Sequence, residues 1–202
     1  MARGESARVS DSDDIEASIT DGERFGVVVE RHFSELYRYL ARRVGGEADD
    51  LAAETFAIAF RRRVDYDLDR ADVRPWLYGI ATNLVRRHRR SEMRRLAAYE
   101  RSAHRDEHLS VDASQEIAAQ LDRANTLQRV AAAFARLDGE QRDVLFLVAI
   151  CGLSYDDAAE ALDVPIGTVH SRVARSRKRL RALIEGGAQG PSTASARPAG
   201  QG

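Results

Sequence analysis

Two short stretches of this chain carry arginine at helical spacing, and guanidinium groups in that density recognise phosphate and the guanine edge. Thr168 to Arg181 holds five arginines, one lysine and no acid, and Arg86 to Arg95 holds six arginines against one glutamate. Around the first stretch the turn chemistry is specific. Ser154 stands three residues before Asp157, a variant of the capping box at a helix start. Tyr155, Ala158, Ala159 and Leu162 then share one face. Asp163-Val164-Pro165-Ile166-Gly167 interrupts that helix, because proline has no N–H to donate and glycine admits the turn. Thr168 is placed to cap a second helix, whose Val169, Val173, Ser176, Leu180 and Leu183 recur on an inward stripe. Leu153 to Ile184 therefore reads as a helix-turn-helix, the motif that lays its second helix in the major groove of DNA.

The residues turned outward on that helix are the candidates for touching nucleic acid. N-terminal positions of a recognition helix reach base edges, so Thr168, Ser171, Arg172 and Arg175 form the base-reading set. Lys178 and Arg179, with Arg177 and Arg181, lie further along and suit phosphate or protein. His170 reads as a phosphate neighbour with no acid–base role. In the upstream segment, Asn83 shares a face with Trp76, Arg87 and Arg90, and Arg86 adjoins it. Amide side chains read adenine, and aromatics beside cations stack bases displaced from a duplex. Taken alone this segment is less specific. Arginine-rich helices also bind RNA, membranes or acidic proteins, and Trp76 suits core packing equally well by spacing.

Other chemistries find no residues. Cys151 is the only cysteine and falls on an apolar helix stripe, so it reads as a small core residue with no disulfide framework or Cys-rich metal site. No metal-ligand cluster, glycine-rich phosphate loop or nucleophile–base pair is legible, so no catalytic residue and no cofactor is expected. There is no apolar run of about 18 residues, and the first residues are polar and acidic, unlike a signal peptide. A cytoplasmic protein without membrane insertion is expected. The net charge of −1 conceals strong segregation: residues 1–23 hold Glu5, Asp11, Asp13, Asp14, Glu16, Asp21 and Glu23 against Arg3 and Arg8.

Positioning these residues requires helices. From Phe25 apolar residues recur at 28, 29, 33, 36, 37, 40 and 44, with His32 on the same face, and Gly45-Gly46 ends the stripe. Ala48, Leu51, Ala52, Thr55, Phe56, Ala59 and Phe60 share a face of a second helix, and 64–73 reads as a loop. Pro75 suits the first turn of a third helix that buries Leu77, Ile80, Ala81 and Leu84. Helical pattern resumes near Leu121, turns at Asp138-Gly139, and continues through Val144, Leu145, Leu147, Val148 and Cys151 to Gly152. The fold class predicted is all-α, with two small helical domains joined by a flexible linker, the C-terminal one a helix-turn-helix. The expected organisation is a disordered acidic segment over 1–23, a first domain over 24–96, a linker over 97–123, a second domain over 124–185, and a disordered tail over 186–202.

Three motifs in order, Asp49-Asp50-Leu51-Ala52-Ala53-Glu54-Thr55-Phe56, Pro75-Trp76-Leu77-Tyr78-Gly79-Ile80-Ala81-Thr82-Asn83-Leu84 and the helix-turn-helix, resemble the bacterial sigma factors of the extracytoplasmic-function group. The resemblance covers about residues 24–95 and 124–185. It implies a subunit that binds the RNA polymerase core and directs it to promoters. Asp50, Leu51, Glu54 and Phe56 would face the polymerase, and Asp50 with Glu54 also fits a plain solvated acidic pair. Trp76, Asn83, Arg86, Arg87 and Arg90, with the 64–73 loop, would melt and hold the −10 element. The C-terminal helix would read the −35 element. The family implies no cofactor or metal, a monomer when free, and an anti-sigma protein as a frequent partner. Two positions depart from the family pattern: Ala53 stands where glutamine is common, and Arg87 where an acidic residue is frequent. The competing reading is a stand-alone helix-turn-helix repressor or activator, which leaves residues 49–95 unexplained.

Overall fold

A computed structural model describes residues 10–70, 72–102 and 130–186, and among these every regular element is helical. Helices α1 (Asp11–Thr20), α2 (Phe25–Val44), α3 (Ala48–Arg62) and α4 (Arg74–Ser102) build the N-terminal half. Helices α5 (Gly139–Leu145), α6 (Tyr155–Leu162) and α7 (Ile166–Gly186) build the C-terminal half, after a helical stretch over 130–135. A π-helical turn, Phe146–Ile150, continues α5.

The apolar stripes explain α2 to α4. Leu36, Tyr39 and Leu40 of α2 meet Leu51 and Ala52 of α3 and Leu77, Ala81 and Val85 of α4 in one buried cluster. Gly45 ends α2 at φ +65°, a conformation that favours glycine. Tyr39 places its hydroxyl 2.7 Å from Thr82 Oγ1, so its polar end is satisfied inside the core. The 64–73 segment is a loop with a short 3-10 turn at Arg63–Asp65, anchored by buried Tyr66 and Val73. Helix α4 starts at Arg74 with Pro75 in its first turn, as expected, and runs on to Ser102. Residues 97–102 therefore belong to a helix and not to a linker. Residues 103–123 lie outside the described residues.

The acidic N-terminal segment departs from expectation. Residues 11–20 are helical, not disordered. Ser10 caps α1 by accepting from the Asp13 N–H, and Asp13 accepts from the Ser10 N–H in return. Ile15 is fully buried. The acids are taken up by partners across the interface: Arg31 donates to Asp11 and, at 3.0 Å, to Asp14, Arg24 reaches Asp14 at 3.2 Å, and His32 Nε2 lies 2.9 Å from Asp11. Residues 1–9 and 187–202, which hold the rest of the acidic segment and the predicted tail, lie outside the described residues.

The C-terminal half has its own layer. Val144, Leu147, Ala158, Leu162, Val169 and Val173 are buried, and Ser176 turns inward with them. Ser154 and Asp157 form the reciprocal capping box of α6. Asp163 ends α6 at φ +52°, a left-handed conformation that aspartate tolerates better than most residues. Helix α7 begins at Ile166, one turn ahead of expectation. Thr168 therefore sits inside its first turn, its N–H donating to the Pro165 carbonyl at 2.8 Å, and is not the cap.

The two halves pack against each other, and their buried residues form one continuous cluster. Helix α6 lies along α4 closely enough that a Cβ on Gly79 would stand 2.9 Å from the Ala161 carbonyl oxygen. Phe146 presents its ring edge-on to Tyr39 at 6.1 Å. Arg43 and Asp143 pair across the seam with both side chains 1% exposed.

Candidate nucleic-acid interface

Helix α7 turns its outer face to solvent. His170, Ser171, Arg175, Lys178 and Arg179 are exposed and Thr168 is half-buried, while Val169, Val173 and Ser176 hold the helix to its domain. Ser171 donates to the Thr168 carbonyl at 3.0 Å, and Arg175 folds back on Ser171, with its Nε 3.3 Å from the carbonyl and its Nη2 3.3 Å from Oγ. These are weak, exposed contacts that a base edge can replace. His170 meets the Tyr155 ring at 4.6 Å, which fixes its position beside the exposed row of α7. Arg172 is different from the rest of the predicted reading set. Its side chain is only 15% exposed and donates to Glu140 on α5 at 2.6 Å. It braces the motif by tying α7 to α5.

The α4 face gathers Trp76, Asn83, Arg87 and Arg90 as the spacing predicts. They line a cavity of about 620 Å³, together with Glu160, Ala161 and Asp163 of the C-terminal half. Trp76 is half-buried against Tyr66 of the loop, with ring centroids 5.0 Å apart, so core and cavity share it. Asn83, Arg87 and Arg90 are exposed. Arg86 does not share their freedom: its Nε donates to the buried Asp143 carboxylate at 2.7 Å. Arg87 donates to Glu54 of α3, so this departure from the family pattern is matched by a carboxylate of the neighbouring helix. Arg89 donates to the Arg43 carbonyl at 2.9 Å, and burial first, then the charges of Arg43 and Arg142, pushes its guanidinium below its ordinary value.

The predicted polymerase contacts divide. Asp50 is exposed and Glu54 is half-buried at the surface of α3. Leu51 and Phe56 are 7% and 6% exposed, and they serve the core in place of a contact surface, because their stripe faces α2 and α4. The apolar surface here comes instead from Phe33 on α2, 39% exposed and stacked on Phe56 at 6.1 Å. Its place in the α2 stripe makes it look like core, and only its position at the stripe's edge distinguishes it. Helix α1 is the larger omission. Ser12 donates to the Arg70 carbonyl, which also accepts from the Tyr66 hydroxyl at 3.1 Å, so α1 fastens the loop on which Trp76 rests.

Among the described residues, Glu47, His88 and Glu92 bring ligand atoms within 4.8 Å of one another. His88 and Glu92 are an i,i+4 pair at 3.3 Å on an outer helix face, the ordinary arrangement of solvated partners, and no metal chemistry is assigned to them. Cys151 is half-buried near Tyr78, and burial pushes its thiol up to about 11, which leaves it a poor nucleophile. No helix among the described residues is long and apolar enough to cross a membrane.

Comparisons with known proteins fall on these same two halves. Residues 28–95 match the family described as Sigma-70 region 2, and residues 127–180 match Sigma-70, region 4. The chain is similar to the RNA polymerase sigma factor NccH of Alcaligenes xylosoxydans xylosoxydans, 34% identical over 80% of this chain and 87% of that protein. It is also similar to the ECF RNA polymerase sigma factor SigC of Mycobacterium tuberculosis, 39% identical over 69% of this chain and 71% of that one. Among solved structures it resembles CnrH in complex with the cytosolic domain of CnrY, with a TM-score of 0.60, 28% identity, and coverage of 87% of this chain and 99% of that one. It also resembles RpoE of Bartonella quintana in complex with the anti-sigma factor NepR, with a TM-score of 0.55, 25% identity, and coverage of 80% and 96%. A helix-turn-helix with an open basic face, preceded by an arginine-rich helix with an aromatic cavity, is thus the region 4 and region 2 pair of one family, and the chain belongs to the RNA polymerase sigma factors of the extracytoplasmic-function group, which direct the polymerase to promoters and initiate transcription.

Proposed function

We propose the following division of labour within that activity. Helix α7 reads the −35 element in the duplex through Ser171 and Arg175, with Thr168, His170 and Arg172 at the flank and Lys178 and Arg179 on phosphate. Helix α4 and the Tyr66–Trp76 corner hold the melted −10 strand through Trp76, Asn83, Arg87 and Arg90, with Arg86 joining once it leaves Asp143. Asp50, Glu54 and exposed Phe33 meet the polymerase. The subunit itself is non-catalytic and cytoplasmic, is a monomer when free, and takes an anti-sigma protein as a partner, as the solved relative RpoE does.

The observation that carries this reading is the pairing of two differently built basic helices. The α7 row is smooth and cationic, which suits a groove. The α4 face surrounds a cavity with an indole, an amide and two guanidinium groups, which suits unstacked bases. The stand-alone regulator leaves the second of these without a use, and the region 2 match over 28–95 argues against it.

Run-off transcription tests the proposal. Bacterial core polymerase, this protein and a fragmented GC-rich genome should give discrete starts that share two spaced upstream motifs and vanish without the protein. Starts whose −35 motif is unchanged by Arg175→Ala, or whose strand opening is unchanged by Asn83→Ala, would overturn the assignment of those helices.

A further inference from the structure

Helix α1 grips the 63–70 segment at both ends. Near its start Ser12 donates to the Arg70 carbonyl, and near its end the Ser18 carbonyl accepts from Arg63 Nε at 3.1 Å. Six residues of helix separate the two serines, a rigid span of about 9 Å. Arg63 is also fixed from the α3 side: its Nη1 donates to the Phe60 carbonyl at 2.6 Å, and its guanidinium lies 3.9 Å from the Phe60 ring centroid. Helix α1 is itself seated on α2, through fully buried Ile15 and through Asp11 and Asp14, which accept from Arg31. Between the two grips the loop divides by residue. Tyr66 is buried, donates to the same Arg70 carbonyl at 3.1 Å, and sets its ring 5.0 Å from Trp76. Burial pushes the Tyr66 hydroxyl up to about 12, so it stays protonated and donating. Val64, Asp65, Asp67, Leu68 and Asp69 are exposed. The turn among them closes on Asp67, whose carboxylate accepts from the Asp69 N–H and from Arg70 Nε, each at 3.2 Å.

We propose that α1 is a splint that presets the shape in which the 63–70 loop meets the melted −10 strand, with Ser12 and Arg63 as positioning residues for base choice. The inference rests on the assignment of the Tyr66–Trp76 corner to that strand. A loop ordered only on binding loses the cost of its ordering from its affinity, whereas a loop already held at both ends does not. Base choice depends on this more than phosphate attraction does. A cation finds a phosphate from many loop shapes, but the edge or face of one base is matched by few. Ser12 is half-buried with its hydroxyl committed to Arg70, so it acts through the loop backbone and not by touching DNA. The Arg70 carbonyl gathers Ser12 of α1 and Tyr66 beside Trp76 on one acceptor, which couples the splint to the indole.

The test uses the full-length protein with bacterial core polymerase and a promoter, found by run-off transcription, whose −10 and −35 elements are randomised in turn. Sequenced transcripts give the base preference at each position. In Ser12→Ala and in Arg63→Met the −10 preference should fall about two- to tenfold, the span of one hydrogen bond of ordinary net strength, and the double variant should lose more. The −35 preference and the affinity for core should stay at wild-type values. Ser12→Thr keeps the hydroxyl and should keep the −10 preference. Trp76 is the chain's only tryptophan, so iodide quenching of its emission in the free protein should quicken in the same order of variants. Circular dichroism would establish that each variant is folded, and if the double variant is not, the single variants decide. A helix that contributes stability alone would lower output on every library member and leave both preferences intact, which overturns the splint. Loss of the −35 preference along with the −10 preference overturns it too, because α1 reaches only one of the two faces. Trp76→Ala separates the two layers of the argument. If it blunts the −10 preference while the α1 and Arg63 variants do not, the splint fails and the strand assignment stands. If Trp76→Ala changes nothing, the strand assignment fails and this inference falls with it.

Discussion

The α4 and α7 faces begin as the same kind of sequence, a helix thick with arginine, and end in opposite circumstances. Among the described residues no carboxylate pairs with Arg175, Lys178 or Arg179, and the row stays solvated. On α4, Arg86 is held by Asp143, Arg87 by Glu54, and the cavity beside them is lined in part by Glu160 and Asp163. Both helices are long and amphipathic, so helical period does not separate them. The difference lies in which acids the rest of the chain brings near. Asp143 is 57 residues from Arg86 in sequence and 100 from Arg43. A basic helix is a binding surface only where the fold leaves its counter-charges to the ligand.

The sharpest way to break the comparison is to remove the charge that binds the halves. Asp143→Ala leaves Arg43 enclosed beside Phe146 and Tyr39 with no anion, and deleting one partner of a buried pair costs about 3–5 kcal/mol. Denaturant unfolding should show that loss. A change below about 1 kcal/mol would show that Arg43 reaches water and that the seam is open in solution. The matching deletion on the other face, Glu140→Ala, removes an exposed partner of Arg172 and should cost about 1 kcal/mol or less.

Promoter selection sharpens the comparison next. Arg175→Ala should weaken discrimination at one −35 position by about 1–3 kcal/mol while polymerase binding is retained. Arg172→Ala should fall short of that, because its guanidinium is committed to Glu140 and half-buried. Competition between wild-type and single-substitution −35 duplexes measures both. Asn83→Ala should leave recruitment intact and reduce permanganate-reactive thymines in the −10 region. An effect of Asn83→Ala on duplex −35 affinity equal to that of Arg175→Ala would erase the distinction between the faces.

Local pattern made the helices legible because burial imposes it. The Val169–Val173–Ser176 stripe, the Ser154–Asp157 box and the turn at Pro165 all follow from residues within one or two turns of each other. What stayed illegible needed partners far along the chain. Arg172 and Arg86 look like free readers until Glu140 and Asp143 arrive. Leu51 and Phe56 were implied as contact residues by resemblance, although their own stripe marks them as core. Helix α1 was obscured by its charge. Seven acids over 1–23 resemble a solvated segment, yet the Ser10–Asp13 spacing before Ile15 was a helix signal, and Arg24, Arg31 and His32 were near enough in sequence to neutralise it.

The smallest expected effect concerns the buttress behind the α4 face, which the α7 face lacks. Burial alone would raise the Asp11 carboxyl, but hydrogen bonds and charge from His32, then Arg31, outweigh it and hold the group below its usual 3.8. Asp14, Tyr66 and Asp72 are the other polar groups near this cluster. A carboxylate depressed in the folded state binds fewer protons there than when unfolded, so its contribution is present above pH 3.8 and is lost as the pH falls through the lower folded value. Helix α1 should therefore come loose on acidification ahead of the core, releasing the Ser12–Arg70 contact and softening the loop under Trp76. Hydrogen exchange at the α1 amides should accelerate beyond the intrinsic change as the pH falls below 3.8, while amides of α7 keep their protection. Asp11→Asn should abolish most of that step. If α1 and α7 lose protection together in wild type and variant alike, the helix is no separate buttress, and the two faces are held by one cooperative core.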